Sequence, residues 1–184
     1  RLQKAGYQAY LVGGCVRDLL LGLEPKDFDV ATSATPEQVR AEFRNARVIG
    51  RRFKLVHVHF GREIIEVATF RANHPQGEDD EDSNLASRNE SGRILRDNVY
   101  GSLEDDAQRR DLTINAMARH PDTGEIVDPY GGRADARARV LRHVSDAFAE
   151  DPVRILRVAR FAARYAPLGF RVAPETLQLM RAMV

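Results

Sequence analysis

Two short strands joined by a helix, with two glycines at the first turn and two aspartates in the second strand, constrain this chain more than any other feature. Ala9–Val12 is a short apolar segment that ends at Gly13 and Gly14, where a helical pattern begins at once. Asp27–Val30 then alternates polar and apolar residues, as a half-buried strand does. This order predicts a sheet strand, a tight turn, a helix and a second sheet strand in close succession.

The two aspartates are spaced to share one face of the predicted strand. Side chains at i and i+2 leave the same face, with Cα atoms roughly 6.5 Å apart. Carboxylates placed in this way can hold two divalent metal ions about 3.5–4 Å apart. Phe28 and Val30 would point into a core, and Glu66 in the next apolar strand is a candidate third carboxylate. Taken alone, a pair such as Asp27 and Asp29 more often marks an exposed strand face that carries two solvated acids.

The glycine turn suggests a binding site for phosphate. A helix that begins directly after Gly13 and Gly14 presents backbone N–H groups and the positive end of its dipole. Arg17, one turn into the helix, can add a bidentate phosphate contact. Glycine pairs most often mark a turn and nothing more, but together with the strand carboxylates they predict a site for a triphosphate and a metal.

The remaining pattern predicts strands with interleaved helices, followed by helices alone. Asn73–Arg93 contains an acidic run and few apolar residues, so we expect a mobile loop there. The predicted order corresponds to an α+β head joined to a helical extension. The other predicted elements are the helices Cys15–Leu21, Pro36–Asn45, Asp111–Ala118, Asp151–Tyr165 and one that starts at Pro174, the hairpin Lys54–Phe60 with Glu63–Phe70, and the strand Glu125–Asp128.

Charge and composition exclude some classes of protein. The formal net charge is +1, which argues against a generic polycation, but Arg133–Val184 holds ten Arg against five acidic residues. This asymmetry indicates that the C-terminal part meets an anionic polymer, or else that it is a solvated helix face. No segment approaches the ~18 consecutive apolar residues of a membrane helix. Cys15 alone cannot form an internal disulfide, which fits a cytoplasmic location. Because the chain begins at Arg1 without Met and ends within a helical pattern, we expect it to be a fragment.

Several motifs resemble one family of enzymes. The segments LVGGCVRDLLLG, EPK and DFDVAT resemble the head motif of the bacterial poly(A) polymerase and CCA-adding enzyme family, within the polymerase-β-like nucleotidyltransferases. Asp105–Ala116 and Glu150–Ala163 are similar to later motifs of that family, so the resemblance covers nearly the whole chain. It implies a nucleotidyltransferase head at residues 1–140 and the start of an all-α neck at residues 141–184. It also implies template-independent addition of nucleotides to RNA 3′ ends, of mRNA or tRNA, with Mg²⁺ at a two-metal site and ATP as substrate.

The resemblance also implies roles for individual residues. Asp27 and Asp29 match the metal-binding carboxylates and, with Asp111, form the implied catalytic set. Arg110 and Asp111 match residues that handle the nucleotide sugar and phosphates. Asp151 and Arg154 match the pair that recognises the incoming base. The implied nucleotide-binding residues are Gly13, Gly14, Arg17, Asp18, Arg110, Asp111, Asn115, Asp151, Arg154 and Arg157.

The assignment of base recognition agrees with hydrogen-bond chemistry. Asp151 is an acceptor and Arg154 a donor, three residues apart on one helix. Adenine and cytosine offer an amino donor beside a ring-nitrogen acceptor, whereas guanine and uracil offer the reverse, so this pair favours A and C. Asp151 could instead simply cap its helix. The arginines at 154, 157, 160 and 164 form one stripe, which suits RNA phosphates or a plain solvated surface.

The two parts of the chain resemble different members of the family. Residues 1–111 are more similar to poly(A) polymerase, and residues 112–184 are more similar to CCA-adding enzymes. We favour poly(A) polymerase, with CCA addition from CTP and ATP as the alternative. Two further alternatives are a non-catalytic RNA-binding module and a small nucleotidyltransferase that modifies a protein or an antibiotic. Retention of Asp27, Asp29, Arg110 and Asp111 together argues against the first of these.

Overall fold

The computed structural model describes residues 1–50, 54–72, 86–88, 94–97 and 100–184. They form two compact units, the first built from Arg1–Leu11 and Asp27–Asp106 and the second from Val12–Lys26 and Ala107–Val184. The division into head and neck at residue 140 falls inside the second unit and stays a prediction.

The described residues form short helices and strands throughout. The α-helices are α1 (Gly14–Leu20), α2 (Pro36–Glu42), α3 (Leu103–Gln108), α4 (Gly132–Ala138), α5 (Val153–Tyr165) and α6 (Pro174–Ala182). The strands are β1 (Ala9–Val12), β2 (Asp29–Thr32), β3 (Ala46–Ile49), β4 (Leu55–Phe60), β5 (Glu63–Thr69), β6 (Ala86–Arg88), β7 (Ile94–Asp97), β8 (Ala118–Arg119), β9 (Ile126–Val127), β10 (Val140–Leu141) and β11 (Arg171–Val172). Short 3₁₀ segments lie at Gln3–Ala5, Thr113–Asn115, Asp146–Glu150 and Ala166–Leu168.

A mixed sheet organises the first unit. Its strand order is β3-β4-β5-β2-β1, in which β4 is antiparallel to both β3 and β5, and β2 is parallel to β5. This mixed sheet with flanking helices confirms the predicted α+β class. The predicted β4–β5 hairpin is confirmed. Gly61 at its turn adopts φ +63°, a backbone conformation that suits glycine.

One face of this sheet carries the hydrophobic core of the first unit. Val39 of α2 is buried together with Val56 and Val58 of β4. Thr35 before Pro36, with Gln38 three residues after Thr35, predicts a cap at the start of α2. The structure confirms it, since Thr35 and Gln38 form a reciprocal capping box. Because side chains alternate between the two faces of a strand, the residue between Val56 and Val58 points to the opposite face, away from that core.

The second unit packs helices and short strands around its own core. The buried members are Leu112, Ile114, Ala136, Leu141, Phe148, Val158, Tyr165 and Phe170. β8 pairs with β9 antiparallel, and β10 pairs with β11 parallel. Gly132 allows α4 to approach the Thr113 carbonyl so closely that a Cβ there would clash with it.

Two predicted elements differ in the structure. The helix predicted at Asp111–Ala118 is only a 3₁₀ turn, because Leu112 bridges to His143 and the Thr113 N–H donates to the Arg142 carbonyl. The strand predicted from Asp27 begins at Asp29, since its ladder with β5 starts there. Phe28 consequently lies outside the ladder and is 42% exposed instead of buried in a core.

The remaining predicted elements are confirmed, have different bounds, or lie outside the described residues. The helix predicted from Asp151 begins at Val153, and the helix at Pro174 is confirmed. The elements β3, α3 and α4 were not predicted. Ala86–Arg88 pairs with β7 as a strand, and the rest of the predicted loop at Asn73–Arg93 lies outside the described residues. In the part of the chain that is described, no helix has the length and apolar character needed to cross a membrane.

Candidate active site

The two strand aspartates lie at the beginning of β2. Asp29 is half-buried and in register with Glu66 of β5, whereas Asp27 precedes the strand and is exposed. Glu66 is in turn in register with His57 of β4, whose Nε2 lies 3.3 Å from the Glu66 Oε1. Because residues in register point to the same face, Asp29, Glu66 and His57 form a polar row on the face opposite the core.

The chemistry of these donors suits a hard divalent cation. Mg²⁺ is usually bound by one or two protein carboxylates and completes its shell with water and substrate phosphates. Asp27 and Asp29 fit this requirement by themselves. Within the described residues, no group of three or more His, Cys, Asp or Glu side chains could hold a metal ion, so Glu66 does not join them as a third ligand in this structure.

The glycine turn lies in the second unit. Gly13 adopts φ +73°, a conformation that L side chains rarely take, and its N–H donates to the Met117 carbonyl at 3.4 Å. A Cβ on Gly14 would lie 3.3 Å from the Arg17 Nη2, so a larger residue would crowd that guanidinium. The binding of phosphate at this turn stays a prediction.

Arg17 lies inside the second unit. It is 4% exposed, and its Nε and Nη2 both lie 2.8 Å from the Oδ1 of Asp18. Its Nη1 donates to the Asn115 Oδ1 at 2.6 Å. The guanidinium carbon lies 5.1 Å from the ring centroid of Tyr165 and 5.6 Å from that of Phe161, within the range of cation–π attraction. Because the Arg17 side chain contacts protein groups in this structure, its contact with phosphate stays a prediction.

Asp111 continues this network from Asn115 to α5. Its Oδ1 accepts from the Asn115 Nδ2 at 3.1 Å and from the Leu112 N–H at 2.8 Å. Its Oδ2 accepts from the Arg157 Nε at 2.7 Å. Together these contacts form what we call the buried polar network, which consists of the buried residues Arg17, Asp18, Asp111 and Asn115 and the exposed Arg157 that binds Asp111.

The network keeps Asp111 ionised. Burial by itself would raise the pKa of the Asp111 carboxyl, since it disfavours the charged form. The charge of Arg157 and the hydrogen bonds from Asn115, Arg157 and the Leu112 N–H outweigh burial, so the pKa lies below its usual range. The Arg157 side chain is 53% exposed, so it can hold Asp111 and still present N–H groups to a ligand.

The predicted base-recognition pair lies at the beginning of α5. The Asp151 Oδ1 accepts from the Val153 N–H at 3.1 Å, so this side chain does cap the helix. The Arg154 Nη1 and Nη2 donate to the carbonyls of Ala147 and Arg109, both at 2.5 Å. Burial lowers the pKa of Arg154. Capping uses one oxygen of Asp151, and the other has no hydrogen-bond partner among the described residues.

Comparison with known proteins identifies the family. The family of the Poly A polymerase head domain matches residues 9–142 of the chain. The chain belongs to this family.

Relatives in the family carry two different names. Poly(A) polymerase I of Escherichia coli O6:H1 is 54% identical over 181 residues, which cover 97% of this chain and 38% of that protein. The Multifunctional CCA protein of Methylococcus capsulatus is 50% identical over 179 residues, which cover 96% of this chain and 38% of that protein. Among solved structures, the CCA-adding enzyme of Bacillus stearothermophilus in complex with CTP aligns with a TM-score of 0.77 and 39% identity over 97% of this chain and 40% of that one. The chain thus spans about two fifths of the length of these relatives.

Membership of the poly(A) polymerase and CCA-adding family confirms the family predicted from the sequence. All ten predicted nucleotide-binding residues lie in the second unit, where five of them form the buried polar network. Arg110 joins its edge, because its Nη1 donates to the Asn115 carbonyl at 3.2 Å. Sequence reasoning missed Tyr165 and Phe161 as a cover over Arg17, although their spacing of four residues on one helix face was a usable signal.

Proposed function

We propose that this chain carries the metal-binding and nucleotide-binding parts of an RNA 3′-terminal nucleotidyltransferase. In the proposed reaction the RNA 3′-oxygen forms a bond to the α-phosphorus of ATP, the bond from that phosphorus to the pyrophosphate oxygen breaks, and the hydroxyl proton is lost to solvent. Acceptor RNA and a nucleoside triphosphate are therefore the proposed partners. A cytoplasmic location follows from this proposal, since ATP and RNA 3′ ends are found there.

The beginning of α5 carries the proposal. Asp151 keeps its backbone cap through one oxygen, and two main-chain carbonyls hold the guanidinium of Arg154. An acceptor and a donor fixed in this way match the amino group and the ring nitrogen of A or C. Fixed side chains lose little conformational entropy when they bind a ligand, which supports selection of one class of base.

The buried polar network also includes a residue of α5. Arg157 bonds to Asp111, which is bonded through Asn115 to Arg17. We propose that Arg157 and Arg110 contact the phosphates or sugar of the nucleotide, because both keep partial access to solvent. Arg17 and Asp18 would then position this set from inside the unit, and Gly13 and Gly14 would leave room for the triphosphate.

Asp27 and Asp29 are the proposed ligands of magnesium in the two-metal site. When bound there, the metal would lower the pKa of the attacking hydroxyl and offset the negative charge of the departing pyrophosphate. A module that only binds RNA has no need for this pair of acids. A nucleotidyltransferase that modifies a protein would not need the Asp151 and Arg154 pair.

We propose poly(A) synthesis from ATP as the product, because the relative that is 54% identical bears that name. CCA addition from CTP and ATP is the second candidate, because a CCA protein is 50% identical over a similar length. The experiment supplies each of the four labelled nucleotides separately to the full-length protein, with either an unstructured RNA or a tRNA that lacks its terminal CCA. Long tails from ATP on both RNAs support poly(A) synthesis, and addition of C and A on tRNA alone supports the CCA candidate. No incorporation with any nucleotide would overturn both.

A further inference from the structure

We infer that the second unit binds the phosphate backbone of single-stranded RNA at a cavity between α1 and α4, built on Arg133, Arg137 and Arg139. This site is additional to the proposed nucleotide site. The inference rests on the proposed function, since it names a surface that holds the RNA acceptor.

The cavity has a composition that suits a nucleotide unit of RNA. Its volume is about 270 Å³, and it is lined by Leu20 and Leu21 from the end of α1, by Ala136 and by the three arginines. Leucine and alanine side chains provide an apolar surface, while guanidinium groups provide planar, bidentate donors. An RNA nucleotide has the matching parts, since the planar face of its base is apolar and its phosphate is anionic.

The three arginines lack compensating negative charge. All are exposed, and none forms an ion pair with a carboxylate among the described residues. The acid nearest in sequence, Asp135, is buried and accepts hydrogen bonds from Arg142 and Thr113. By contrast, Arg17 and Arg157 each bind an aspartate. The rim of the cavity is therefore a concentrated positive surface within a chain whose formal net charge is only +1.

Two of the three arginines lie in α4, and the third follows it in a different backbone conformation. Arg133 and Arg137 are four residues apart and so lie on one face of α4. Arg139 follows the helix with φ +58°, the only positive φ of a non-glycine residue in the described part of the chain. Its Nη1 lies where a Cβ on Gly169 would approach to 3.1 Å, so the glycine leaves room for this side chain. Asparagine or glycine would adopt the left-handed conformation of residue 139 with less strain, which supports a role for the guanidinium itself.

The location separates this cavity from the proposed nucleotide site. The glycine turn and Arg17 are at the beginning of α1, whereas Leu20 and Leu21 are at its end. A seven-residue helix is about 10 Å long, so the cavity suits RNA upstream of the reacting 3′ end better than the incoming nucleotide.

The test measures RNA binding directly, without nucleotide. In the full-length protein, Arg133→Gln and Arg137→Gln are combined, and anisotropy of a labelled, unstructured RNA gives the affinity over a range of salt concentrations. We expect about a five- to tenfold loss of affinity, and a decrease of about 1.4 in the slope of log affinity against log salt, for two lost phosphate contacts on a single strand. The matched control combines Arg40→Gln with Arg62→Gln, which removes the same charge from two exposed positions of the first unit. The control should change the affinity by less than about twofold.

A single variant guards against loss of folding. Arg139→Asn removes one guanidinium but keeps a residue that tolerates positive φ, so the protein should stay folded and the salt slope should fall by about 0.7. RNA affinity equal to that of the control in both the double variant and Arg139→Asn overturns the inference.

Two further measurements separate the possible sources of phosphate and the two proposals. ATP binding should be unchanged in the double variant, and weaker ATP binding with unchanged RNA binding would show a free-nucleotide site and overturn the inference. If the wild type incorporates nucleotide but its RNA binding does not depend on these arginines, this site alone is refuted. Arginine-dependent RNA binding without any incorporation refutes the proposed function and leaves this site standing.

Discussion

Asp111 in the second unit and Asp27 in the first are both predicted to be catalytic, yet their environments are opposite. Asp111 is 6% exposed and accepts three hydrogen bonds, and its pKa lies below the usual range because the charge of Arg157 and these bonds outweigh the effect of burial. Asp27 is exposed and precedes its strand. The contrast indicates that the proposed nucleotide-binding residue Asp111 is held in place by protein groups, whereas the proposed metal ligand Asp27 is open to solvent. Substitutions in the two regions should therefore affect different properties.

The largest expected effect concerns the exposed aspartates. Asp27→Asn or Asp29→Asn should reduce nucleotide addition by about 10³-fold or more, because the metal loses a charged ligand. The midpoint of thermal unfolding should change little, since these side chains contribute little to the core. Glu63→Gln, an exposed carboxylate at the start of β5, is the matched control and should keep its activity. Near-normal turnover in both aspartate variants would remove the metal assignment.

The buried aspartate should instead affect stability. Asp111→Ala leaves the Asn115 amide and the Leu112 N–H without an acceptor, so the free energy of unfolding should fall by about 3 kcal/mol. Asp122→Ala, at an exposed turn, should change it by less than about 0.5 kcal/mol. Chemical denaturation of both variants measures the difference. Equal stabilities would mean that the network does not organise the second unit.

A smaller effect is expected from pH. Because the pKa of Asp111 is lower in the folded protein than its ordinary value of 3.8, the unfolded chain binds the proton first as the solution is acidified. The stabilisation is complete above the unfolded pKa and is lost as pH falls through the folded one. The stability difference between wild type and Asp111→Asn should therefore be constant near neutral pH and should shrink below about pH 4. A difference that stays constant throughout acid denaturation contradicts the lowered pKa.

Local sequence signals predicted the elements that depend on local chemistry. The capping box at Thr35 and the proline start of α6 were found because both signals lie within one turn of the chain. The turn at Thr113–Asn115 was predicted as a helix, because its conformation depends on pairing with His143 and Arg142, about 30 residues away.

The same limit applies to the candidate site. The spacing of Asp151 and Arg154 suggested base recognition, but no pattern indicated that the carbonyls of Ala147 and Arg109 hold the guanidinium, since every residue has a carbonyl. Arg17 contacts Asn115, which lies 98 positions away in the sequence. The burial of Arg17 could therefore not be predicted from its sequence neighbours.

Base recognition at the beginning of α5 can be tested by a four-nucleotide competition on one RNA acceptor, with wild type, Asp151→Asn and Arg154→Ala. The ratio of incorporated nucleotides does not depend on the fraction of folded enzyme, so it reports base selection alone. Asn caps a helix about as well as Asp, so Asp151→Asn should keep the beginning of α5 while it presents a donor where an acceptor is needed.

Base recognition by Asp151 predicts that UTP and GTP gain relative to ATP in Asp151→Asn. It also predicts that Arg154→Ala loses about 1–3 kcal/mol of discrimination, or roughly five- to 150-fold. An unchanged preference in Asp151→Asn would show that Asp151 only caps α5 and would contradict base recognition at this site.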